Sequence, residues 1–80
     1  MNLDKALQKV NGELLVLTNE KEGTQFTYPS ATAIVKRLNN KLHPFVVWRA
    51  IDPSRSGNDP FFQDGNYCET LAEALTDSRI

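Results

Sequence analysis

Apolar and polar positions alternate along this chain with two different periods. Leu3, Leu7 and Val10 recur at i, i+4 and i+7, and Asn11-Gly12 follows as a stop signal. That spacing predicts a short helix over about residues 3–10. Glu13–Thr18, ELLVLT, reads as a strand, and Asn19–Gly23 as a charged turn. Thr24–Tyr28, TQFTY, is rich in β-branched and aromatic residues. Thr24, Phe26 and Tyr28 would share one face of a second strand. Together these segments predict a hairpin with a five-residue loop.

The stretch from Ser30 to Ile51 is the most informative. Pro29-Ser30 breaks the preceding pattern, and Ser30 can cap a helix. Ala31, Ile34, Val35, Leu38 and Leu42 then fall at i, i+3, i+4, i+7 and i+11, a single helical stripe. His43-Pro44 would end that helix, because a residue before proline avoids helical angles. Phe45–Ile51 reads as a central strand. Phe45, Val47, Arg49 and Ile51 share one face, and Val46, Trp48 and Ala50 the other. On this pattern Leu38 and Val47 belong to the core.

Residues 52–60, DPSRSGNDP, have loop composition. Phe61-Phe62-Gln63 and Asn66-Tyr67-Cys68 flank Asp64-Gly65, the signature of a tight hairpin turn. Thr70 and Glu73 have capping-box spacing, which predicts a helix from there to about Ser78. The expected order is therefore α-β-β-α-β-β-β-α. This is an α+β fold in a single small domain over residues 1–80. It has an antiparallel sheet of about four to five strands, a central amphipathic helix and short N- and C-terminal helices.

Composition narrows the class. The apolar share is 40% and the charged share 24%, which is ordinary for a globular chain and unlike a disordered one. A core this small supplies only about 3–5 kcal/mol. Cys68 is the sole cysteine, so no internal disulfide forms, which favours a reducing, cytoplasmic location. The N-terminal stretch carries Asp4, Lys5 and Lys9 and lacks the apolar centre of a signal peptide. Its apolar runs are too short to span a bilayer.

Charge is unevenly spread. Residues 30–51 hold Lys36, Arg37, Lys41 and Arg49 and no acid. Residues 52–77 hold Asp52, Asp59, Asp64, Glu69, Glu73 and Asp77 against Arg55 alone. Mutual neutralisation across the fold is the plainest reading, since surface ion pairs are common decoration.

Catalytic chemistry finds little support. His43 is the only histidine, and its expected place at a helix end suits carbonyl capping better than catalysis. Cys68 fits a small core residue better than a nucleophile. One Cys and one His are too few for zinc. The segment from Asp52 weakly mimics a calcium loop, but its twelfth position is Gln63 where a bidentate Glu is needed. No glycine-rich phosphate loop occurs. No metal or cofactor is expected.

Two functions remain. The first is a non-enzymatic protein-interaction or accessory domain, binding a protein partner or a second copy of itself. Its expected anchors are Trp48, Phe61, Phe62 and Tyr67, an aromatic patch near the C-terminal hairpin. Adjacent Phe61 and Phe62 face opposite ways in a strand, so both cannot enter one core. The alternative is a nucleic-acid-binding accessory protein using Lys36, Arg37 and Lys41 on the central helix, with Arg49 beside them. A pI near 5.7 argues against that alternative. No membrane partner is expected.

Overall fold

A computed structural model describes residues 1–78. Its elements are α1 (Asp4–Val10), β1 (Gly12–Lys21), β2 (Ser30–Arg37), β3 (Phe45–Ile51), β4 (Phe61–Cys68) and α2 (Leu71–Asp77). The strands form a four-stranded antiparallel sheet in the order β1-β2-β3-β4. Each strand therefore lies beside its neighbour in sequence. Among the described residues, no helix is long and apolar enough to cross a membrane.

The central helix expected between the strands is absent, and residues 30–37 form β2 instead. A short apolar run fits either period, and here burial on two sides decides. Ile34 and Val35 are both fully buried, yet they point to opposite faces. A helix stripe would have put them on one face. β-Branched Thr32, Ile34 and Val35 also suit a pleated surface. Leu38 and Leu42, expected in the stripe, fall in the β2–β3 connection and are 58% and 79% exposed. Leu38 is therefore not a core residue, whereas Val47 is.

Two hairpin expectations fail as well. Residues 24–28 are not a strand. Thr24 and Thr27 close a local turn: the Thr24 amide donates to the Thr27 carbonyl at 3.0 Å, and the Phe26 amide donates to Thr24 Oγ1 at 3.0 Å. Such side-chain bonds compete with a sheet ladder. Phe26 ends 85% exposed at the loop tip. Asp64-Gly65 does not reverse the chain either. Asp64 takes the left-handed conformation its sequence favours, with φ 56°. It spends that geometry on a β-bulge, where Asp64 and Gly65 together oppose Trp48. The strand then continues to Cys68.

The sheet has two covered faces. On one, α1 packs with Leu3 and Leu7 over Ala33, Val35, Val46, Trp48 and Ala50. On the other, α2 places Ala74 over Ile34, Val47 and Cys68. Asn11 ends α1 in the left-handed conformation. Thr70 caps α2, its hydroxyl accepting from the Glu73 amide, as the capping-box spacing requires.

Trp48 depends on the bulge. A Cβ on Gly65 would lie 2.5 Å from the indole Nε1, so only glycine leaves room for the ring. Gly65→Ala should cost about 1–3 kcal/mol by overpacking. It should also alter the near-UV circular dichroism of this single tryptophan while the far-UV signal persists. Ile34→Ala should cost about 2–5 kcal/mol, while Leu38→Ala should stay within about 0.5 kcal/mol of wild type. Denaturant midpoints check both, and equal shifts would restore the helical reading.

Candidate functional site

The register of β3 with β4 decides which aromatics meet. Phe62 pairs with Ala50 and Tyr67 with Val46, so both lie on the α1 face beside Trp48. Trp48 and Phe62 stack with centroids 5.0 Å apart and planes at 12°. Tyr67 meets Trp48 edge-on at 6.3 Å. Such pairs add about 0.5–1.5 kcal/mol beyond area burial. Phe61 pairs with Ile51 and stands on the α2 face. The four expected anchors are therefore not one patch. Three cluster on one face and the fourth is on the other.

Their exposure separates them further. Trp48 is buried and Phe62 half-buried, so both serve the core first. Phe61 is 43% exposed and Tyr67 51% exposed. Those two rings flank the outer edge of β4, one on each face and one near each end. β4 is the last strand of the sheet, and along it only Cys68 is buried. A strand edge of this kind offers unpaired backbone donors and acceptors.

The basic residues do not form one surface. Lys36 is exposed on the α2 face, opposite Glu13 and Phe45 in the ladder. Arg37 turns the other way and stacks on Tyr67, with its guanidinium carbon 4.7 Å from the ring centroid. Its Nη2 donates to the His43 carbonyl at 3.1 Å. Lys41 sits in the β2–β3 connection. Arg49 is exposed on the α2 face, beside Gln63 and Thr32. His43, expected at a helix end, lies in the same connection as Lys41, with Nε2 3.9 Å from Glu69.

Arg49 instead lines a cleft that sequence reasoning missed. α2 covers only part of its face, and the described residues leave the sheet open beyond its C-terminal end. The hollow there has a volume of about 790 Å³. Thr32, Arg49, Asn19, Asp64, Asn66 and Asp77 line it. Asn19 and Asp64, two of its lining residues, both take the left-handed conformation that Asn and Asp accommodate. Asn19 Nδ2 donates to the Ser78 carbonyl at 3.2 Å, tying β1 to the end of α2. Both signs of charge line the cleft: Lys21 and Arg49 against Glu20, Asp64 and Asp77. That mixture selects no single ligand charge. The only early signal for this cleft was the polar Arg49 in an otherwise apolar strand.

Cys68 occupies the seam between β4 and α2. Its thiol donates to Asp77 Oδ2 at 3.3 Å, and Asn66 Nδ2 donates to the same oxygen. Burial, this hydrogen bond and the neighbouring Asp77 and Glu73 charges push the thiol up to about 11. A thiol held protonated in this way is a poor nucleophile. Among the described residues, no group of His, Cys, Asp and Glu could hold a metal ion. Comparison with protein-family models, curated proteins and solved structures returned no match.

The raised thiol sets a pH dependence. The unfolded thiol ionises near 9.0 and the folded one near 11. Its contribution is thus complete below pH 9.0 and is lost as pH rises towards 11. Over that window wild type should lose about 1–3 kcal/mol more than Cys68→Ala, as urea titrations at stepped pH would show. Parallel curves for the two proteins would refute the linkage.

Proposed function

We propose that this chain is a non-enzymatic protein-interaction domain that binds through the outer edge of β4. The observation that carries the reading is the exposure of that strand. Its edge is open at the end of the sheet, and Phe61 and Tyr67 project from its two faces. Strand addition draws affinity from main-chain hydrogen bonds and specificity from flanking side chains. Two exposed rings beside an open ladder supply both.

The other edge suits this role less well. β1 carries Glu13, Glu20 and Lys21, and its pairing with β2 is interrupted between Leu14 and Val16 and between Thr18 and Lys21. Charges and bulges are the usual means of keeping an edge unpaired. β4 has one charge, Asp64, and one interruption. The nucleic-acid alternative gains little from this arrangement, because Arg37 is engaged by Tyr67 on the α1 face, away from Lys36 and Arg49 on the α2 face, and Lys41 lies outside the sheet in the β2–β3 connection.

Affinity capture from the native host, followed by hydrogen exchange on the complex, tests this. Amides of Phe61–Cys68 should gain protection on binding, and those of β1 should not. Phe61→Ala and Tyr67→Ala should each weaken capture by about 2 kcal/mol, roughly thirtyfold, with the circular dichroism unchanged. Combined Lys36→Ala, Lys41→Ala and Arg49→Ala changes should matter less. Arg37 is left out of that set because it supports Tyr67. Loss of the partner in the basic variant, with retention in both aromatic variants, would make electrostatics the recognition mode.

A further inference from the structure

We infer that the partner at this edge is a second copy of the chain, paired β4 to β4 in one specified antiparallel register. The inference rests on the reading of β4 as the binding edge and adds who binds and how. It comes from the position of the bulge. Before it, Phe61, Phe62 and Gln63 pair with Ile51, Ala50 and Arg49; after it, Asn66 and Tyr67 pair with Val47 and Val46. Phe62 and Tyr67 therefore share the α1 face. Phe61, Gln63, Asn66 and Cys68 share the α2 face.

An antiparallel self-pairing with its two-fold axis between Asp64 and Gly65 sets Phe61 opposite Cys68 of the second copy. It sets Phe62 opposite Tyr67, and Gln63 opposite Asn66. Every one of these pairs joins residues of the same face. The two bulges coincide at the axis, so neither strand loses register against the other. Phe62 of each copy meets Tyr67 of the other, which extends the Trp48–Phe62 stack across the junction. Aromatic cross-strand pairs of this kind stabilise a ladder. Asn66 already gives its amide hydrogen to Asp77, and its carbonyl oxygen can accept from Gln63 of the second copy.

Neighbouring registers are worse on the same grounds. A slip of one residue in one direction sets Asp64 directly against its own copy and Phe62 against Asn66. A slip the other way sets Phe62 against Cys68 and Tyr67 against Gln63, each from the opposite face. A slip of two residues parts the two bulges and shortens the ladder. In the favoured register the single charge of β4 faces Gly65, and only the first of these slips sets it directly against its own copy.

Cross-linking in solution tests this. The wild-type chain should scatter light as a particle of twice its 9.0 kDa mass. Gln63→Cys and Asn66→Cys are each placed in a Cys68→Ala background, whose own mass and unfolding midpoint confirm that it still folds and pairs. Mildly oxidised together, the two variants should give a covalent dimer whose linked peptides contain positions 63 and 66. Each alone should give none, because its own copies lie several residues apart and a disulfide needs Cα atoms within about 7 Å. A dimer that links in either variant alone, or not in the mixture, refutes the register. A chain that stays monomeric refutes self-pairing, yet leaves β4 open to another protein, which the exchange experiment reads separately. Exchange protection that avoids β4 refutes both readings.

Discussion

Two central strands buried on both faces are the constraint on which this structure turns. β2 and β3 carry Ala33, Val35, Val46 and Trp48 to one side and Ile34 and Val47 to the other, so both sides must be shielded from water. The described residues supply two α-helices for the task, each of seven residues. A helix of that length spans about 10 Å, while a strand of equal length spans about 23 Å. Neither helix can cover its face alone. On the α1 side the deficit is made up by rings: Trp48 stacks against Phe62 over Gly65 and closes the remaining area. On the α2 side Phe45 packs against the core, but the described residues leave the sheet around Thr32 and Arg49 uncovered, and that area becomes the cleft. Core packing and surface topography thus have one origin.

Much of the sequence was legible where local chemistry and burial agreed. The Asn11 stop and the Thr70–Glu73 cap gave both terminal helices nearly to the residue. The period-two alternation of Phe45–Ile51 gave β3. The errors arose where one local signal served two structures. Ala31, Ile34, Val35, Leu38 and Leu42 match a helical stripe by spacing, but Leu38 and Leu42 belong to a connection and their match is coincidental. Asp64-Gly65 favours a left-handed residue and gets one, but the turn it implies becomes a bulge. Both errors came from tertiary context: strands covered on two sides look locally like buried helices, and a hairpin turn shares its backbone angles with a bulge.

The candidate site was legible in part for the same reason. Composition gave the aromatics and simple alternation put Phe61 and Phe62 on opposite faces. Which rings stay exposed depends on what packs above each face, and no window of sequence contains that. Arg37 shows the limit most clearly. Read as part of a helix, it belongs to a basic surface with Lys36. In a strand the two part company, and Arg37 stacks on Tyr67 from a distant segment. Cys68 was readable as a core residue, but its raised pKa comes first from burial and then from Asp77 of the following helix, and neither is visible in the residues around it.

The strand order has a consequence for how the chain reaches this state. Because the sheet runs β1-β2-β3-β4, no strand waits for a partner from a distant part of the chain. Contacts of short sequence separation require little loop closure before they yield stabilising interactions, and folds rich in them form quickly. The β1–β2 hairpin can zip first and template β3. β4 is the last strand to be synthesised, and it alone brings Phe62 and Gly65 to Trp48. Until it does, β3 is itself the open edge, with an apolar indole unshielded beside it. The brief hazard in the life of this molecule therefore lies in the interval between the third strand and the fourth.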